Sequence, residues 1–182
     1  MKAWTDLDAL TTPPRVARLK RDERGYPIPA WAMLDANGKP DFHVLDMAKW
    51  VRLAQLRFCG ICGEALGRHL AFVGGPKSVE RRVFKDLPMH HDCASYALRA
   101  CPFLAAPKFS FAAVGHQVDG VTTDTSTMVS PERPERFALA IARTMELCLL
   151  PDGSPGLIAG EFTHFAWWEN GAPVARSDHP PA

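Results

Sequence analysis

Cys59-Gly60-Ile61-Cys62 and His90-His91-Asp92-Cys93 are the two places where metal-ligating side chains recur at ligand spacing. The first pair sets two thiols on one tight turn, and Gly60 and Gly63 let backbone N–H groups approach sulfur with no Cβ in the way. His90 and Cys93 stand three residues apart, hence on one face at the start of the Ala- and Leu-rich stretch 93–100. Three thiolates and one imidazole form the tetrahedral set that zinc favours, so one structural Zn2+ per chain is expected at Cys59, Cys62, His90 and Cys93. Four protein ligands leave no open coordination position, and no residue is assigned a catalytic role.

The remaining thiols fit the site poorly. Cys101 follows Cys93 by eight residues, about 12 Å along a helix, whereas sulfurs sharing a zinc ion lie within about 4 Å. His91 is the weaker histidine candidate, since residues i and i+2 do not face one another on a helix. The competing readings are a thioredoxin-like Cys-x-x-Cys, which lacks its βαβ context here, and plain buried thiols. Cys101 and Cys148 read as small core residues.

The elements that must position these residues follow from pattern. Residues 1–25 carry Pro13-Pro14 and a run of basic residues, which predicts an extended arm without helix. The turn Asp35-Ala36-Asn37-Gly38-Lys39 between apolar runs predicts a β-hairpin over 26–45. Asp46 caps a helix expected over 47–57, where Met47, Trp50, Val51 and Ala54 share a face. A strand over 70–73 is expected to end at Gly74-Gly75-Pro76, followed by a polar, irregular 77–87. The helix through 94–100 stops at Cys101-Pro102. Residues 105–135 read as a mobile loop. The segment 137–150 fits strand or helix, with the turn at 151–156 favouring a hairpin; 161–168 reads as a short aromatic helix ended by Asn170-Gly171. The fold class is α+β: a zinc treble-clef-like module with an N-terminal β-hairpin and helix, and a C-terminal β-rich lobe. The expected organisation is an arm at 1–25, a hairpin, helix and zinc module at 26–104, a C-terminal lobe at 105–174 packed on it, and a frayed tail at 175–182.

The knuckle, strand and helix in that order resemble a treble-clef zinc finger over about residues 57–102. The strings Cys59-Gly60-Ile61-Cys62-Gly63-Glu64-Ala65-Leu66-Gly67, Ala71-Phe72-Val73-Gly74-Gly75-Pro76, His90-His91-Asp92-Cys93-Ala94, Ala100-Cys101-Pro102-Phe103-Leu104 and Trp167-Trp168-Glu169-Asn170-Gly171 resemble a family of uncharacterised phage and bacterial proteins. The resemblance implies a mobile-element origin and the ligand set Cys59, Cys62, His90 and Cys93. It implies no reaction.

Composition bounds the rest. The chain has 182 residues, 47% of them hydrophobic and 23% charged, as in soluble globular proteins. No apolar run approaches the ~18–20 residues of a membrane span, and the start lacks a signal peptide's apolar stretch, so a cytoplasmic protein with no membrane partner is expected. The net charge of +1 hides an asymmetry: residues 1–104 carry 16 basic against 11 acidic residues, and 105–182 carry 5 against 9. Arg15, Arg18, Lys20, Arg21 and Arg24, with Arg81, Arg82 and Lys85, are candidate phosphate contacts, so the expected function is a binding module for nucleic acid or a protein. The same run, broken by Asp22 and Glu23, also suits a solvated surface. The alternative is an HNH-like metal-dependent nuclease, for which His91 and Asp92 are the nearby candidates but a downstream Asn and His are missing. Zincin, P-loop, Gly-x-Ser-x-Gly and deaminase signatures are absent. Phe162, Phe165, Trp167 and Trp168 read as core rather than an interface anchor. His43, His69, His116, His164 and His179 stand singly, with no visible partner.

Overall fold

The computed structural model describes residues 5–106 and 133–174. In chain order these form α1 (Pro14–Ala17), β1 (Ala32–Leu34), β2 (Pro40–Leu45), α2 (Met47–Gln55), β3 (Leu70–Gly74), α3 (Pro76–Arg81) and β4 (Val83–Phe84). Then come α4 (His91–Ala100), α5 (Pro102–Ala105), β5 (Phe137–Ala142), β6 (Met145–Leu149), β7 (Pro155–Ala159), β8 (Phe162–Glu169) and β9 (Ala172–Pro173). Helices and antiparallel strand pairs are interspersed, which is the expected α+β class. No helix among the described residues is long and apolar enough to cross a membrane.

The two halves of the chain share both larger sheets. The first sheet runs β3-β5-β8-β9 and the second β4-β7-β6, beside the β1-β2 hairpin. β3 pairs with β5 from Leu70 opposite Ala142 to Gly74 opposite Ala138, and Val83 and Phe84 pair with Ile158 and Leu157. β5 reads Phe-Ala-Leu-Ala-Ile-Ala and is buried throughout, because it is covered on both faces. Phe137, Leu139 and Ile141 join a core with Ala94 and Leu98 of α4. Ala138 meets Val79 and Trp167, and Ala142 joins Trp50, Phe72 and Phe84. The Phe72 and Phe84 rings lie 4.9 Å apart. Such continuous apolar runs are what double-sided burial requires.

Several expected elements form. The β1-β2 turn is held by Asp35, whose carboxylate accepts the Asn37 and Lys39 N–H groups at 2.8 Å each. Asp46 caps α2 by accepting the Lys49 N–H at 3.0 Å. α4 ends at Cys101, and Pro102 opens α5 rather than a loop.

Three local readings are corrected and one open reading is settled. The arm contains α1, since Pro14 sits at the first helical position, where a missing N–H costs nothing. Residues 77–87, expected to be irregular, hold α3 and β4; Pro76 again begins the helix after Gly75. The ambiguous 137–150 is two strands. The aromatic stretch expected as a helix is β8, whose aromatic residues serve both faces: Trp168 joins the core with Ala94 and Leu98, while Phe165 and Trp167 pack with Val79 and Ala138. Asn170 and Gly171, at φ 48° and 80°, are not a helix cap but the two-residue turn of the β8-β9 hairpin. The expected loop falls largely on 107–132 and the tail on 175–182, outside the described residues.

Candidate metal centre

The knuckle is a small hairpin. Phe58 bridges Ala65, the Cys59 N–H donates to Glu64 O at 2.8 Å, and the Gly63 N–H donates to Cys59 O at 2.9 Å. Gly63 takes φ +72°, a conformation an L side chain disfavours. Two neighbouring segments fix the knuckle in space. The Ala30 and Trp31 N–H groups donate to Ile61 O and Gly60 O, and the Gly60 N–H donates to Pro88 O at 3.0 Å. Ala71 and Met89 exchange backbone hydrogen bonds at 2.9 and 2.8 Å, so β3 aligns the chain just before His90. His90 is the N-cap residue of α4 and Cys93 lies in its first turn.

These constraints bring the ligating atoms of Cys59, Cys62, His90 and Cys93 within 4.8 Å of one another. Cys59 and Cys93 are buried, Cys62 and His90 half-buried. His90 Nδ1 lies 3.3 Å from Cys62 Sγ, while Nε2 lies 3.1 Å from Ala65 O. An Nε2–H donated to that carbonyl leaves the Nδ1 lone pair facing the thiols, the tautomer a metal ligand needs. The donor set of three sulfurs and one imidazole nitrogen suits zinc. The four residues are placed to hold a metal ion, and His90, not His91, supplies the imidazole.

Electrostatics grade the three thiols in the metal-free chain. Cys59 is the most acidic: the Cys93 thiol donates to it, and the backbone N–H groups of Cys62, His90 and Ile61 add to the effect against the opposing effect of burial. Burial pushes Cys62 up. Cys93 is pushed up by the hydrogen bond it gives Cys59 and by burial. Cys101 and Cys148 are outside the cluster, and burial raises both, which favours the unreactive protonated thiol.

The other candidate residues have varied fates. His91 is exposed. Asp92 accepts from the Arg15 guanidinium at 3.2 Å and from the Cys93 N–H at 3.0 Å. Arg15 also pairs with Glu64 at 3.1 Å, and Arg18 pairs with the same carboxylate. Arg24 pairs with Asp22 at 2.8 Å and lies over the Tyr26 and Phe42 rings. Arg21 donates to Gly25 O at 2.8 Å, and Lys85 approaches Asp152 at 3.5 Å. Lys20, Arg81 and Arg82 are exposed and in no ion pair among the described residues. The eight basic residues therefore do not converge on one site. Sequence reasoning missed Glu64 and the Ala65 carbonyl; neither carries a spacing signal, because both act through the three-dimensional closure of the knuckle.

The chain matches no family model, no curated protein and no solved structure.

Proposed function

We propose that this chain is a zinc protein in which the metal is structural, and that it serves as a binding module rather than a catalyst. The observation that carries the reading is the orientation of His90: Nδ1 toward the thiols and Nε2 tied to Ala65 O. A ligand fixed in that way completes a closed shell of four, which in zinc proteins is the structural arrangement. The knuckle followed by β3 and then by α4, whose N-terminal end carries the second ligand pair, resembles a treble clef, with α3 and β4 inserted between strand and helix. Bound zinc would cross-link the 58–65 hairpin to the first turn of α4, and metal-linked folding of this kind is worth about 10 kcal/mol or more in small zinc modules.

The ion pairs of Arg15, Arg18, Arg24 and Lys85 count against a phosphate-binding face at those positions. Exposed Leu147 and Leu149, on one face of β6, favour a protein as the partner. Elemental analysis of natively purified protein tests the metal reading. About one zinc per chain is expected, lost in Cys59→Ser and His90→Ala and kept in His91→Ala. Folded protein without metal would overturn it. Salt-dependent retention on immobilised DNA or RNA would overturn the preference for a protein partner.

A further inference from the structure

We propose that residues 5–19 form a strap whose docking is coupled to the metal, with Arg15 as the coupling residue. The inference rests on the metal reading above and extends it to a segment that supplies no ligand. Arg15 spans two carboxylates on different elements: Glu64, two residues after Cys62 on the knuckle, and Asp92, one residue before Cys93 on α4. Those two elements are the ones the metal joins. The carboxylates stand correctly spaced for one guanidinium only while the knuckle and α4 are held together.

Charge supports the same coupling. Zinc with three thiolates and a neutral imidazole carries one net negative charge, and Glu64 and Asp92 bring two more beside it. Arg15 and Arg18 offset them. Asp92 in turn accepts the Cys93 N–H, so Arg15 acts on a ligand through one intermediate, as outer-shell partners of metal sites do. The apolar side of the strap points to the same place: Leu7 and Val16 are buried in the cluster that contains Cys59, Met89 and Cys93, with Leu10 and Leu19 packed against it. Each exposed ion pair alone contributes little. The coupling comes from Arg15 bridging the two elements that the metal would also bridge, and it must be reciprocal: a strap that docks on the loaded site slows metal release.

The test compares wild type, Arg15→Ala and Arg15→Lys, all loaded with zinc and with metal content measured on the same samples. Zinc release to excess chelator is followed with a colorimetric dye, and strap undocking by the rate of tryptic cleavage at Lys20 and Arg21. Arg15→Ala is expected to release zinc faster by on the order of tenfold and to be cut faster at Lys20 and Arg21. Arg15→Lys, which keeps the charge but not the two-carboxylate bridge, falls between. Stripping zinc from wild type is expected to accelerate the same cuts. Equal release rates in all three loaded proteins, or cleavage at Lys20 and Arg21 indifferent to metal, would overturn the coupling while leaving the metal reading intact. Wild type that holds no zinc would overturn both.

Discussion

Leu87 stands against the knuckle at Gly60: a Cβ on Gly60 would lie 2.8 Å from the Leu87 Cβ. The contact, with the Gly60 N–H donated to Pro88 O, sets how closely the first ligand pair approaches the chain leading to the second. Gly60→Ala is expected to lower unfolding stability by about 1–3 kcal/mol through overpacking and to weaken metal retention. Gly67→Ala is the control, since nothing lies within 4 Å of a Cβ there; its effect should stay within about 0.5 kcal/mol. Urea midpoints of the two variants check this, and a neutral Gly60→Ala would show that the knuckle and the 87–89 segment are not in tight contact.

The graded thiols predict how many protons zinc displaces. Cys59 is lowered and ionises first, whereas Cys62 and Cys93 are raised and hold their protons near neutral pH in the metal-free chain. Loading should therefore release about two protons near neutral pH rather than three. The sign follows: protons compete with the metal for the thiolates, so affinity rises with pH and falls as acid protonates them. Calorimetric titrations with zinc in buffers of different ionisation enthalpy measure the number directly. A release of three would mean that Cys59 is protonated like the others.

The ligand set was legible because ligand chemistry is local: Cys-x-x-Cys and His-x-x-Cys each lie within a single turn. Asp46 and the Asp35–Lys39 turn were legible for the same reason, as side chains satisfying nearby backbone groups. Partner strands were not. That β5 would lie between β3 and β8 depends on contacts between distant residues, and its continuous apolar run suits a buried strand or a helix alike. β8 reads as a helix in sequence because its apolar residues pack on both faces and so lack the alternation that marks a one-sided strand, and Asn170-Gly171 suits a helix stop as well as a hairpin turn. The role of Arg15 was hidden behind its charge: in sequence it is one of a basic run, and only the fold places Glu64 and Asp92 around it.

The β8-β9 turn gives a conformational test. Gly171 sits at φ +80°, where an added Cβ finds ordinary contact with Ala105 at 3.4 Å, so the penalty of Gly171→Ala comes from backbone strain rather than collision. About 1–2 kcal/mol of lost stability is expected. Asn170→Gly, at φ 48°, should be tolerated within about 0.5 kcal/mol, because glycine adopts that region freely. Thermal melts of both variants decide it, and a harmless Gly171→Ala would argue against a two-residue turn with two left-handed positions.

Tyr96 carries a polar atom into the core. The residue is 4% exposed and packs in the cluster with Cys93, Leu98 and Trp168, yet its hydroxyl has no hydrogen-bond partner among the described residues. A buried hydroxyl left unpaired costs about 1–3 kcal/mol, while the ring around it contributes apolar burial. Removing the oxygen alone should therefore not hurt: Tyr96→Phe is expected to leave stability unchanged or raise it by about 1 kcal/mol. Tyr96→Ala, which also empties the ring's volume, should lose about 3–5 kcal/mol. Urea unfolding of the metal-loaded variants separates the two contributions. A Tyr96→Phe protein destabilised by more than about 1 kcal/mol would show that the hydroxyl is paired in solution, with water or another polar group satisfying it inside the core.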